Sequence, residues 1–417
     1  SEEKFFPKNN IVKYLKVRGS YGEVGNDQIG GDRFLYLPSS YGAASDSGVN
    51  KYNFGLASNP YTSLMIVENK IGNPDLTWEK AKKMNVGVDI NLFNNCLTAS
   101  FDIFKEKRNN ILANRSTSPM IIGANLPAYN FGEMENRGWE MDLNFRHHIQ
   151  DFHYWARFNY SFARNEIIYM DEVQKRYDYQ MTTGRRKNQF FGLIFDGYYN
   201  SWEEINALDR PKSSWSGNQL QPGDVKYVDV NQDGVIDDYD MVPIGYTPVP
   251  EIIYGFSFGA QYKGFDFSIL FQGADNVSIK YFGRSMWPFA KGEESAKSLI
   301  KERWTQERYE AGEKITFPRL SLNPNGETDH NYRPSTLWIR DASYLRLKNL
   351  EVGYTFTGGF VKRLNLNSVR LYFNGSNLFT WTDVVDLDPE APSRSGNVEI
   401  NTYPLQKVYN IGLNINF

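Results

Sequence analysis

The stretch "MNVGVDINLFNNCLTASFDIF", residues 84–104, alternates with a period of two on both sides of a short interruption. Val86, Val88, Ile90 and Leu92 share one face, and Asn85, Gly87, Asp89 and Asn91 share the other. After "FNN" (93–95) the alternation resumes, with Leu97, Ala99, Phe101 and Ile103 against Thr98, Ser100 and Asp102. Successive side chains of a strand point to opposite faces, so the stretch reads as a hairpin with one apolar and one polar face. The same pattern recurs in "WEMDLNFR" (139–146), where Trp139, Met141, Leu143 and Phe145 oppose Glu140, Asp142, Asn144 and Arg146. It recurs again in "YNIGLNINF" (409–417) at the end of the chain.

Segment length separates a β-sandwich from a membrane barrel. Ten strands are expected, at about 12–24, 78–92, 97–112, 136–148, 152–166, 252–262, 265–275, 343–356, 368–379 and 406–417. Most are longer than the five or six residues usual in soluble sheets and long enough for a tilted membrane strand. Connections alternate in length. The short ones are 93–95, 149–151, 263–264 and 357–367; the long ones are 25–77, 113–135, 167–251, 276–342 and 380–405. Outer-membrane barrels place short turns in the periplasm and long loops outside the cell. The expected fold is therefore all-β, a transmembrane antiparallel β-barrel wall with its C-terminus periplasmic. Lys16, Arg18, Asp89, Glu140, Asp142, Arg157 and Asp266 are expected to face a wet interior. The 27 Tyr, 28 Phe and 9 Trp would supply the lipid-facing band and its girdles. Short helices are expected in the loops at 201–206 and 292–308.

Composition closes several other routes. The 46 basic and 49 acidic residues nearly cancel, which gives no electrostatic case for a nucleic-acid partner. A single cysteine, Cys96, rules out an internal disulfide framework. His147, His148, His153 and His330 lack metal-ligand spacing and read as polar residues of loops or strand ends. No run of eighteen apolar residues marks a transmembrane helix. Neither a catalytic triad, a phosphate loop nor a metal-hydrolase spacing stands out, so no enzyme is expected.

One motif carries ligand chemistry. "DVNQDGVIDDYD" (229–240), inside the loop 167–251, has the ligand order of an EF-hand calcium loop. Asp229, Asn231 and Asp233 stand at positions 1, 3 and 5, Gly234 at the sharp turn, the Val235 carbonyl at 7 and Asp240 at 12. Asp replaces the usual closing Glu, and Gly and Pro flank the loop in place of helices. The expectation is a structural calcium site stiffening an extracellular loop, with magnesium as the competing ion; the alternative is an acidic turn that binds nothing.

The chain resembles the C-terminal part of the barrel of SusC/RagA-type TonB-dependent outer-membrane transporters. The resemblance rests on "LKVRGSYGEVGND" (15–27), "NPDLTWEKAKKMNVGVDINLFNNCLTASFDIFKEKRNNIL" (73–112), "GEMENRGWEMDL" (132–143) and "PGDVKYVDVNQDGVIDDYDMVPIG" (222–245). It continues through "PEIIYGFSFGAQYKGFDFSILFQG" (250–273), "LWIRDASYLRLKNLEVGYTF" (337–356), "NLFTW" (377–381) with "LDPE" (387–390), and "YPLQKVYNIGLNINF" (403–417). It implies that residues 1–417 are barrel wall, with a plug domain, a TonB box and further strands of a roughly 22-stranded barrel lying upstream. It implies active import of an oligosaccharide, or alternatively an oligopeptide, across the outer membrane. The implied partners are a SusD-like lipoprotein lid, the TonB–ExbB–ExbD motor and outer-membrane lipid, with two transporter–lipoprotein pairs forming a dimer. Trp202, Trp215, Trp287, Trp304 and Trp338 are candidates to stack on sugar rings, to pack the loops or to face the lipoprotein. A secreted, calcium-dependent glycan-binding β-protein is the alternative of another class.

Overall fold

The computed structural model describes residues 11–27, 72–117, 126–215, 219–281, 298–321, 329–390 and 404–417, with shorter pieces at 35–37, 40–43, 51–56, 61–70, 287–289 and 397–398 and the single residues Glu3 and Phe6. Ten strands form one continuous sheet: β1 (Val12–Asn26), β2 (Glu79–Leu92), β3 (Leu97–Ala113), β4 (Tyr129–Ile149), β5 (Phe152–Tyr169), β6 (Ile252–Tyr262), β7 (Phe265–Asp275), β8 (Tyr344–Phe356), β9 (Ser368–Thr382) and β10 (Val408–Asn416). Their spatial order is their order in the chain, and every neighbouring pair is antiparallel. All ten expected strands are present. The largest departure is β4, which begins at Tyr129 instead of 136. Its first turn of sequence, "YNFGEMEN", does not alternate cleanly, but it ladders onto the top of β3 through two register shifts.

The two faces separate as the alternation requires. On one face Ile103, Trp139, Phe162 and Ile252 lie in one row across β3 to β6. Aromatics tile this face: Trp139 stacks on Tyr160 at 4.7 Å, Phe256 on Phe271 at 4.5 Å, and Phe265 meets the edge of Tyr354 at 4.5 Å. Such pairs add about 0.5–1.5 kcal/mol beyond area burial. At about 3.3 Å per residue and a tilt near 40°, the apolar face of β4 from Trp139 to Ile149 rises roughly 25 Å, the height of a membrane belt.

The opposite face is polar and cross-linked. Arg18 on β1 reaches across β2 to Asp89 (3.1 Å) and Asp102 (2.6 Å), and it also donates to Ser100 at 3.0 Å. It can do so because Gly87 stands between the partners: a Cβ there would lie 2.5 Å from Asp102 Oδ1 and 2.7 Å from Arg18 Cζ. The arrangement repeats on β7, β8 and β9. Arg370 bonds Asp266 and, at 2.5 Å, Glu351, passing over Gly353. Arg18, Asp89 and Asp266 thus lie on the polar face as expected, and each glycine holds open the passage for a cation on one strand to reach acids on the next two.

The long connections do not remain separate loops. Residues from 193–236, 277–342 and Val384 share one hydrophobic core, containing Leu193, Val225, Tyr227, Phe317, Tyr332 and Trp338. Short strand pairs stitch this layer together, among them Phe195–Tyr198 with Val225–Tyr227 and Ser278–Tyr281 with Ile339–Asp341. The expected helix at 201–206 appears as α1 (Trp202–Ile205), capped by Ser201 accepting from the Glu204 amide. The one expected at 292–308 is broken: residues 292–297 lie outside the described residues, and the remainder forms a 3-10 turn (Ser298–Glu302) and then α2 (Gln306–Glu310). The break comes at Thr305, whose side chain accepts from Arg308 N and starts α2 afresh.

Candidate functional site: the long-loop rim

The acidic turn is tightly wound on its own side chains. Asp229 accepts from Gln232 N (2.7 Å) and Gly234 N (2.8 Å), Asn231 from Asp233 N (3.0 Å), and Asp233 from Val235 N (2.9 Å). Gln232 and Gly234 take positive φ, 60° and 82°. Val235 then pairs with Lys212 in a short parallel bridge (Lys212–Ser213 with Val235–Ile236). Asp240 lies fully buried behind the turn. Its Oδ1 accepts from Val230 N (2.8 Å) and its Oδ2 from Asp237 N (2.9 Å), which ties the two ends of the turn together. Burial pushes its carboxyl up, against the pull of these backbone N–H groups.

An ionised carboxylate offers about four lone-pair sites, so these amide bonds leave Asp229 and Asp233 with acceptor capacity. Among the described residues, no group of three or more His, Cys, Asp or Glu side chains is placed to hold a metal ion. The likeness to a cation loop is that of the sequence motif alone: the side-chain oxygens of Asp229, Asn231, Asp233 and Asp240 accept from the turn's own backbone N–H groups.

The turn is pinned to the 3-10 turn Asp178–Gln180 that follows β5. Tyr179 donates to the Tyr239 carbonyl and Gln180 to the Asp238 carbonyl, both at 2.7 Å. Asp238 and Tyr239 line a cavity of about 1210 Å³, together with Leu112 of β3, Ile167 of β5, Asp171 and Glu172. The cavity mixes apolar walls with three carboxylates, those of Asp171, Glu172 and Asp238. Glu172 is held by the amides of Thr182 and Thr183 (2.8 and 2.9 Å), and Asp171 by Ser116 N (2.9 Å).

The loop tryptophans separate into two groups. Trp304 and Trp338 are buried in the shared core. Trp338 donates to the Asn331 carbonyl at 2.8 Å, and Trp304 to Asn200 at 3.1 Å. Trp215 and Trp287 pack against that core, with the Arg333 guanidinium 4.1 Å over the Trp215 ring. Trp202 is exposed. Of the alternatives open to these tryptophans, Trp304 and Trp338 take loop packing: both indoles are buried in the layer.

Two polar clusters were not foreseen. Asp224, buried, binds Asn331 Nδ2 (2.8 Å) and lies 2.5 Å from Arg319 Nε. His330, read as a polar loop or strand-end residue, is buried between Ser213 Oγ (2.8 Å) and the Val225 carbonyl (2.7 Å). A carbonyl only accepts, so Nε2 carries the proton and Nδ1 accepts from Ser213. Burial lowers the pKa of this imidazole. The second cluster is the "LDPE" stretch, which folds back over β8. Arg346, almost wholly covered, binds Asp388 (2.6 Å) and Glu390 (3.3 Å), while Tyr344 donates to Glu390 at 2.7 Å. For the second cluster the signal was the pairing of acidic loop residues with an arginine near a strand end, which spacing alone does not connect.

A long-stranded antiparallel sheet, apolar on one face and polar on the other, with short turns at one rim and a folded loop layer at the other, defines the wall of an outer-membrane β-barrel. Residues 1–378 match the β-barrel model of TonB-dependent receptor-like proteins. The chain belongs to that family and is of its SusC/RagA type. It is 27% identical over 436 residues to the TonB-dependent receptor P3 of Formosa agariphila, covering all of this chain and 41% of that protein. It is 26% identical over 422 residues to the TonB-dependent receptor SusC of Bacteroides thetaiotaomicron, covering 39% of it. Its fold matches the RagAB peptide importer in its open-open state with a TM-score of 0.71 at 24% identity, over 99% of this chain and 41% of that one. The chain spans about two-fifths of the length of these relatives.

Proposed function

We propose that this chain forms wall and outer mouth of an importer that carries oligomeric nutrients across the outer membrane. A SusD-like lipoprotein would close over the long-loop rim, and TonB–ExbB–ExbD would act on an upstream plug. The observation that carries this reading is the loop layer. Three long connections share one packed core on a single rim, which makes a rigid seat for a lid. Long loops at one end and short turns at the other support an extracellular loop layer and a periplasmic C-terminus. Labelling tests this orientation. In a Cys96→Ala background, a cysteine replacing the fully exposed Leu208 should react with an impermeant maleimide on whole cells; protection until the membrane is broken sinks the assignment.

Oligosaccharide is the first cargo class. The polar face of Asn, Asp, Arg and Ser side chains and the exposed Trp202 suit hydroxyl-rich chains. Oligopeptide is the second reading, favoured by the burial of Trp304 and Trp338, which removes two stacking surfaces. Mass spectrometry of the cargo that co-purifies with the transporter and its lipoprotein separates the two. Purification of the transporter without a lipoprotein, from cells expressing both, counts against the lid. The family match and the apolar outward face leave no support for the secreted glycan-binding alternative.

We also propose that the 229–240 turn takes calcium, held by Asp229, Asn231, Asp233, the Val235 carbonyl and Asp240. Oxygen distances of about 2.3–2.6 Å are expected for calcium, against about 2.1 Å for magnesium. Calcium should protect the turn from proteolysis, and the double change Asp229→Ala, Asp233→Ala should abolish that protection. Equal protection with and without calcium refutes the site.

A further inference from the structure

A second cavity, about 380 Å³, lies at the long-loop rim, lined by Arg137, Arg164, Arg185, Arg186, Glu166 and Gln189 among others, and the alternation puts Arg137, Arg164 and Glu166 on the same strand face as Trp139 and Phe162. Its place in the ladder is informative. Trp139 and Phe162 pair directly and belong to the outermost apolar row. One row further on, Lys105, Arg137 and Arg164 stand directly opposite one another on β3, β4 and β5. Like charges facing each other across strands are destabilising, so a row of three cations needs anions.

Part of that demand is met within the chain. Glu135 takes Lys105 at 2.9 Å. Buried Glu251 takes Arg164 through two bonds (2.9 and 2.8 Å) and also bonds Arg186. The remainder is not met. Among the described residues Arg137 has only Glu166, at 3.9 Å. Arg185, half-buried, makes no side-chain ion pair or hydrogen bond among the described residues. Four guanidiniums against Glu166 and Glu251 leave the pocket with a net charge of +2. Glu251 fixes two of the forks in place, and Arg164 Cζ lies 5.4 Å from the Phe162 ring centre, at the upper edge of the apolar belt.

We propose that this arginine pocket binds the phosphate of an anionic lipid headgroup in the outer leaflet. Planar guanidinium forks match phosphate bidentately. The height matches too: a phosphate at the headgroup level sits one strand row above the last lipid-facing aromatics. A free phosphate would need no apolar belt beneath it, whereas a lipid lays its acyl chains along Trp139, Tyr160 and Phe162. The leaflet follows from the loop orientation proposed above, which the whole-cell labelling of residue 208 checks separately.

The test uses the full-length transporter in neutral detergent, with lipid A carrying its phosphates, dephosphorylated lipid A and inorganic phosphate as probes. Phosphorylated lipid A should bind wild type roughly 10- to 30-fold more tightly than the double variant Arg137→Gln, Arg185→Gln, since each basic residue near a charged lipid surface contributes about a factor of five. Those two arginines are chosen because neither is tied to Glu251. Retention of the folded band in unheated gels checks assembly of the variant. The wild-type comparison of phosphorylated with dephosphorylated lipid A needs no variant, and the same gap is expected there. Equal binding of the two lipids, or of wild type and variant, overturns the proposal. Displacement of bound lipid A by about 10 mM inorganic phosphate overturns the lipid assignment in favour of a free anion. Loss of lipoprotein binding in the variant, with lipid binding unchanged, assigns the pocket to a protein partner instead.

Discussion

His330 shows how one buried group ties the loop layer to pH. Its neutral imidazole bridges Ser213 and the Val225 carbonyl, and burial lowers its pKa although Asp224 and Asp329 pull upward. Above the ordinary value near 6.5 the residue is neutral folded or unfolded, so it adds no pH dependence there. Below it, the unfolded chain takes up a proton that the folded layer refuses, and stability falls by up to about 1.4 kcal/mol per pH unit. Asp388 behaves differently. Burial alone would raise it, but Arg346 and the amides of Leu405 and Glu390 hold it low, so its contribution is lost only in the acid range of carboxylates. Protease sensitivity of the loop layer, residues 193–236 and 277–342, should therefore rise between about pH 7 and 5.5, and His330→Gln should flatten that rise. An unchanged pH profile in the variant would remove His330 as its cause. None of this was legible in the sequence. "DHNYRP" reads as a polar loop, and its burial depends on Val225, more than a hundred residues away.

Strands were the legible elements, because a period of two is a local property and lipid on one side enforces it over long runs. The limits of that legibility are the places where alternation stops. The start of β4 and the bulges near Leu347–Asn349 follow from the partner strand and not from the residue's own neighbours. Leu143 and Asn144 give the sharpest element-scale test. Leu143 pairs with Ala99 and Phe158 on the apolar face, and Asn144 with Thr98 and Arg157 on the polar one. An arginine on the lipid side near the midplane costs about 2–4 kcal/mol, and one in the lumen little. Leu143→Arg should reduce the yield of heat-modifiable barrel strongly and Asn144→Arg only slightly; equal yields would reverse or abolish the face assignment. Gly87→Val tests the other face. Its side chain would displace Arg18 from Asp102 and leave two acids without their cation, so barrel yield should fall well below that of Gly22→Val, where a Cβ meets nothing within 4 Å.

At the scale of the whole molecule, the sheet and the loop layer stand as two mechanical units with different cores. The sheet borrows its apolar surroundings from lipid, while the loop layer buries its own. Phe317→Ala should therefore loosen the layer by about 3–5 kcal/mol and expose its loops to protease while heat-modifiable migration of the barrel persists; loss of both together would show one cooperative unit. The sheet has a demand the layer lacks. Among the described residues β1 pairs only with β2 and β10 only with β9, which leaves two edges. In hydrocarbon each unpaired N–H or C=O costs several kcal/mol, and β1 and β10 together present many of them. The exposed Val17 and Tyr21 on β1 and Tyr409 and Ile411 on β10 add apolar surface beside those edges, the combination that drives strands of separate chains together. These 417 residues expressed alone with an export signal should accumulate as aggregate and give no heat-modifiable band. Co-expression with an upstream barrel portion, of the kind that makes up the rest of the relatives' length, should restore that band by pairing both edges. A detergent-free, monomeric, folded product from the chain alone would refute the open-edged wall and return the fold to a closed soluble one.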